Sequence, residues 1–190
     1  MIKMKKIKMF NKFDLQELSR KFFYKFSLSK QKRDFLEKTY DSDFRYFVTI
    51  PLSNRNQLSD IDISSIIYRL RYMLNNEVFT TKELNRYKKR LYILPVIEKS
   101  NHIHLLINSP TCKRFDELKE EEQDTKMKSL ILKIIKKMRL CHLKVCDPND
   151  DFFKVLKTTE DEDRTFAYCV KEKEKLENID YTNVNLATYS

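Results

Sequence analysis

Glycine is absent from all 190 residues, which removes every phosphate cradle built on it, the Walker loop and the Rossmann fingerprint included. Chemistry driven by nucleotide hydrolysis is therefore not expected. Cysteine is limited to Cys112, Cys141, Cys146 and Cys169, and no two of them stand at Cys-x-x-Cys spacing, which argues against a zinc knuckle or a disulfide framework. They read as reduced, partly buried thiols. No apolar run approaches the roughly 20 residues that a membrane-spanning helix needs. Residues Met1 to Phe13 hold five lysines with no apolar segment behind them, so a secretory leader is not expected and a cytoplasmic location is.

Positive charge, by contrast, is in excess. Lysine and arginine number 38 against 28 acids, a formal charge of +10 and a pI near 9.3. Such a balance suits a polyanionic partner, because cations attract phosphates and release their counterions. The length allows one ordinary domain with a hydrophobic core and leaves no room for a helicase or ATPase module beside it.

Along the chain, residues 1–40 read as a basic helical extension, with Asp14 and Glu17 at capping-box spacing and Leu15, Leu18, Phe22 and Phe26 at helical intervals. It is either a DNA-contacting arm or an amphipathic helix packed on the main domain, which is expected over 41–178. A tail follows over 179–190. Within the domain, Phe44 to Ile50 (FRYFVTI) reads as a first strand, ended by Pro51. Asp60 to Glu77 carries Ile63, Ile66, Ile67, Leu70 and Leu74 on one stripe, a first helix. Leu91 to Glu98 and His102 to Ile107, separated by three residues, read as a hairpin, and Pro95 then requires an edge or a bulge. An acidic loop, Asp116 to Asp124, leads into a second helix over about Thr125 to Leu143. That helix carries a basic face suited either to solvent or to phosphates. Phe152 to Thr158 forms a fourth strand, and Glu160 to Asp163 opens a last helix that runs through Tyr168. The order is α+β, a ferredoxin-like β-α-β-β-α-β sheet followed by one more helix, with one sheet face covered and the other available.

His102 and His104 stand two apart on a strand, so both imidazoles leave the same face and can converge on one ion. Three histidines fall at spacing two by chance in roughly 3% of such chains. A regular three-residue hairpin loop sets Glu98 directly opposite His102, which adds a carboxylate. Two imidazoles and a carboxylate suit a divalent ion such as Mg²⁺ or Mn²⁺ with open positions. The third histidine, His142, reads as a helix C-terminal charge. Tyr168 and Lys171 lie one helical turn apart on one face.

Taken in order, the strand FVTI (Phe47 to Ile50), the His-hydrophobic-His strand (His102, Ile103, His104) followed by LLI, and the helical YCVK (Tyr168 to Lys171) resemble the HUH endonucleases. Histidines before tyrosine, and a lysine three residues after it, resemble the single-tyrosine Rep branch that initiates rolling-circle replication of a plasmid or phage. The resemblance implies a metal-dependent nick in single-stranded DNA at an origin or hairpin. Tyr168 would be the nucleophile and Lys171 its charge partner, with Glu98, His102 and His104 on the metal and Arg45, Phe47 and Thr49 on the DNA. The products would be a 5′-phosphotyrosine and a free 3′-hydroxyl. A single-tyrosine transposase of the same superfamily is the alternative within the chemistry. A non-catalytic nucleic-acid-binding module, stacking bases on Phe47, Tyr92 and Phe152, is the alternative outside it.

Overall fold

The computed structural model describes residues 43–51, 60–98, 102–138 and 152–170, all within the unit Ser42–Ser190. The expected N-terminal helices, the expected tail, Cys141, His142, Cys146 and Lys171 lie outside the described residues. Nine elements follow one another: β1 (Phe44–Pro51), α1 (Asp60–Val78), α2 (Thr81–Asn85), β2 (Ile93–Glu98), β3 (His102–Asn108), α3 (Lys113–Asp116), α4 (Glu120–Met138), β4 (Phe153–Val155) and α5 (Thr159–Val170). The strands form one open antiparallel sheet in the order β2-β3-β1-β4, and the fold is mixed α+β.

Alternation from Tyr46 onward, with Tyr46, Val48 and Ile50 wholly buried and Phe47 and Thr49 only half-buried, separates the two faces of the sheet, while the pairing with β3 shifts register between Phe44 and Tyr46. The first set meets Ile103, Leu105 and Ile107 of β3 on the core side. Ile63, Ile67, Leu70 and Leu74 of α1 and Met127, Ile131, Ile134 and Ile135 of α4 complete that core. Both helices bury residues at intervals of three and four, so one stripe of each faces the sheet. Truncating a fully buried residue such as Leu74 to alanine would cost about 2–5 kcal/mol.

Pro95 pairs with Leu105 in register on β2, an edge strand of the sheet, where a missing N–H can face away from the ladder. Several boundaries differ from the sequence expectation. The acids Glu120, Glu121 and Glu122, expected in a loop, form the first turn of α4, where their charges complement the helix dipole. β4 is three residues long instead of seven, because Thr158 leaves the ladder to cap α5 by accepting from Asp161 N at 3.1 Å. Two short helices were not expected. α2 is closed by a reciprocal capping box between Thr80 and Glu83, and α3 buries Phe115. After α2 the chain turns through Lys88, the described non-glycine residue with a positive φ, at 53°.

Candidate functional site

The hairpin pairs Glu98 with His102 and Val96 with His104, and β3 pairs with β1 so that Thr49 stands opposite His104. Phe47, Thr49, His102 and His104 thereby share the face opposite the α1–α4 core. His104 is only 6% exposed and is fixed on two sides. The Thr49 hydroxyl and His104 Nδ1 are hydrogen-bonded at 3.1 Å, and the Phe47 ring stacks on the imidazole at 5.3 Å. The two imidazoles lie nearly parallel, 6.4 Å between ring centres.

α5 packs over this same face. Glu162, Thr165, Phe166 and Cys169 are buried at spacings of three, four and seven, one narrow stripe of the helix. Phe166 stacks on Phe44, and Glu162 reaches across to accept the Phe44 amide at 2.9 Å. Tyr168 stands on the flank of that stripe. It is 45% exposed, yet its ring meets the His104 imidazole edge-on at 5.9 Å. A phenol in that position faces both solvent and the histidines.

Other described tyrosines lack this placement. Tyr46 is wholly buried, and burial above all pushes its phenol far above the ordinary range, so it is held as the neutral phenol. Tyr92 is buried as well, while Tyr68 and Tyr72 stand on α1, on the other side of the sheet.

Of the expected site residues, His102, His104, Phe47, Thr49 and Tyr168 therefore come together. Glu98 takes the expected backbone register opposite His102, and its side chain lies outside the described residues, as does Lys171. Arg45 does not join them. Its guanidinium makes a two-pronged bond to Asp124 of α4, at 2.8 and 3.0 Å, with Glu120 at 3.9 Å, which turns it toward the helix layer. That bond raises its affinity for the proton further, so it stays charged but engaged.

Tyr92 and Phe152, two of the three rings expected to stack bases in a purely binding module, are 7% and 4% exposed and serve the interior instead. Cys112 is buried, and burial raises its thiol above the ordinary range, in keeping with a packing role. Sequence reasoning missed Glu162 and Asp124, each of which joins segments far apart in the chain. No group of three metal-ligating side chains occurs among the described residues. None of their helices is long and apolar enough to cross a membrane. Neither a family model, nor a curated protein, nor a solved structure matches this chain.

Proposed function

We propose that this chain nicks single-stranded DNA through Tyr168, as the HUH resemblance implies, at an origin or hairpin of a mobile replicon. The observation that carries the reading is the edge contact of the Tyr168 ring with His104, on the sheet face that also presents His102 and Thr49. Two further features support it. The four-stranded antiparallel sheet, with two helices on one face, supports the reading of a ferredoxin-like scaffold, and α5 lies on the opposite face.

The donors assigned to a divalent cation such as Mg²⁺ or Mn²⁺ are Glu98, His102 and His104. In the tautomer whose Nδ1–H donates to the Thr49 hydroxyl, His104 Nε2 would present its lone pair to an ion, the arrangement in which a polar neighbour orients a ligating imidazole. His102 supplies the second nitrogen, and the register puts Glu98 beside it. When bound, such an ion would supply Lewis-acid stabilisation of charge on the scissile phosphate. The protein's own residues do the rest. Tyr168 Oη attacks phosphorus and forms the new ester, the bond to the 3′ oxygen breaks, and that oxygen takes up a proton as the phenol gives its own to solvent. One diester is exchanged for another, so no nucleotide is consumed and religation can reverse the step. Lys171, three residues after Tyr168 in the sequence, is assigned the charge that favours the phenolate and the transition state.

The test is incubation with mixed single-stranded oligonucleotides and Mn²⁺, followed by denaturing electrophoresis and tandem mass spectrometry of the adduct. A nucleotide attached to Tyr168, lost in Tyr168→Phe while melting temperature stays unchanged, is the expected result. Attachment at another tyrosine, or undiminished nicking by Tyr168→Phe, would overturn the assignment.

A further inference from the structure

On the other side of the sheet, α1 presents two tyrosines to solvent. Tyr68 and Tyr72 are 57% and 62% exposed, which is unusual for rings of this size on a helix whose other stripe builds the core. Spaced four apart, they lie roughly 5–6 Å from one another along the helix surface. Both line a cleft of about 160 Å³ between α1 and the α2 segment, floored by Leu84 and Asn75 and closed by Arg71 and Arg90.

The residues lining the cleft include two cations, Arg71 and Arg90, and no acid, and the surrounding segment is basic as well. Between Arg69 and Arg90 there are seven basic residues and two acids. Both acids are engaged: Glu77 pairs with Lys133 at 2.8 Å, and Glu83 serves the Thr80 cap with Lys89 at 3.7 Å. Arg90 donates to the main-chain carbonyls of Leu84 and Lys89, neutral acceptors that hold the guanidinium in place without cancelling its charge. Cations also sit over the rings: Arg71 over Tyr68 at 5.7 Å, and Lys82 and Arg86 over the neighbouring Tyr87, itself exposed, at 5.9 and 5.8 Å.

We infer that this cleft is a second nucleic-acid surface, on which Tyr68 and Tyr72 stack successive unpaired bases of single-stranded DNA while the surrounding arginines and lysines follow the phosphates. Exposed rings interleaved with fixed cations provide the two things a single strand offers contacts for, π-faces and a charged backbone. A duplex offers only the second, because its bases are stacked on one another. An acidic protein would meet the cations with its carboxylates but offers no regular succession of π-faces for two rings spaced four residues apart. The choice of DNA over RNA rests on the proposed nicking reaction; the stacking itself does not.

Binding of a labelled 20-nucleotide oligothymidylate, read by fluorescence anisotropy without divalent metal and in the Tyr168→Phe background, tests the surface apart from the covalent chemistry. Tyr68→Ala/Tyr72→Ala should bind it at least tenfold more weakly and bind a duplex of equal length within twofold of the parent. Tyr68→Phe/Tyr72→Phe should restore single-strand affinity, since the ring and not the hydroxyl is required. Both side chains are exposed, so all these variants should melt like the parent. Unchanged oligothymidylate binding by the alanine pair, or an equal loss on duplex, would refute the stacking surface. A tenfold preference of the tyrosines for oligouridylate would refute the assignment to DNA. Absence of a Tyr168 adduct would count against the nickase and leave these affinities as they are.

Discussion

Removing the Glu162 carboxylate should loosen the helix that carries Tyr168. The bond from Phe44 N to Glu162 Oε1, 2.9 Å long and buried, ties residues 118 apart and joins the start of β1 to α5. A hydrogen bond to a charged acceptor contributes about 1.5–3 kcal/mol, and Glu162→Ala also leaves the Phe44 N–H buried without its acceptor. The expected loss is therefore about 2–3 kcal/mol. Glu162→Gln keeps a neutral oxygen in reach and should lose only about 1 kcal/mol. With a urea dependence of about 1–3 kcal/mol per molar, the alanine variant should unfold at a midpoint lower by about 1 M. Hydrogen exchange should localise the effect, with α5 amides exchanging faster relative to those of β1 and β3. The reasoning fails if Glu162→Ala costs less than about 0.5 kcal/mol, or if glutamine costs as much as alanine.

Three other outcomes follow from the same structure. Thr49→Val, which keeps shape but drops the hydroxyl bonded to His104, should weaken Mn²⁺ binding by about 10–100-fold in calorimetry, and Thr49→Ser should retain it. Asp124→Ala strands the half-buried Arg45 guanidinium and should cost about 1–3 kcal/mol in thermal unfolding, whereas Arg45→Leu/Asp124→Leu should recover most of that loss. Thr80→Ala should cost about 1 kcal/mol through the lost cap of α2. Bonds from the Thr80 backbone and hydroxyl hold the Glu83 carboxylate below its ordinary pKa of 4.5, so its contribution is complete above that pH and is lost as the pH falls below it and through the lowered folded-state value. The cost of Thr80→Ala should shrink in acid accordingly.

Local alternation carried most of the readable information. Phe44 to Ile50 is β-branched and aromatic enough to read as a strand, and the spacing of His102 and His104 placed both on the face away from Ile103 and Leu105. The three residues between Glu98 and His102 were enough to set the hairpin register. Pro95 signalled an edge. Capping and dipole terms were harder to weigh: Thr80 and Glu83 spell a capping box that a five-residue helix uses, and Glu120 to Glu122 look the same in a loop as in a first turn. Contacts between distant segments were not legible. Arg45 reads as a cation on an open strand until Asp124, 79 residues on, is seen to meet it. Tyr92 and Phe152 read as surface rings because aromatic residues at strand ends serve either side of a sheet, and only the packing of other elements decides which.

A chain without glycine has a narrower unfolded ensemble than most, since each residue that replaces glycine forfeits less backbone freedom on folding. That advantage reverses wherever the backbone must pass through left-handed geometry. At Lys88, with φ at 53°, the crowding of Cβ against the carbonyl costs roughly 1–2 kcal/mol and is concentrated at a single residue. The turn between α2 and β2 therefore takes a geometry that Lys88 would not choose alone, held by contacts such as Lys89 N donating to Glu83 O at 2.9 Å. Arg90, two residues on, is held by the carbonyls of Leu84 and Lys89, so the guanidinium beside the α1 cleft is placed by main-chain contacts before any partner arrives.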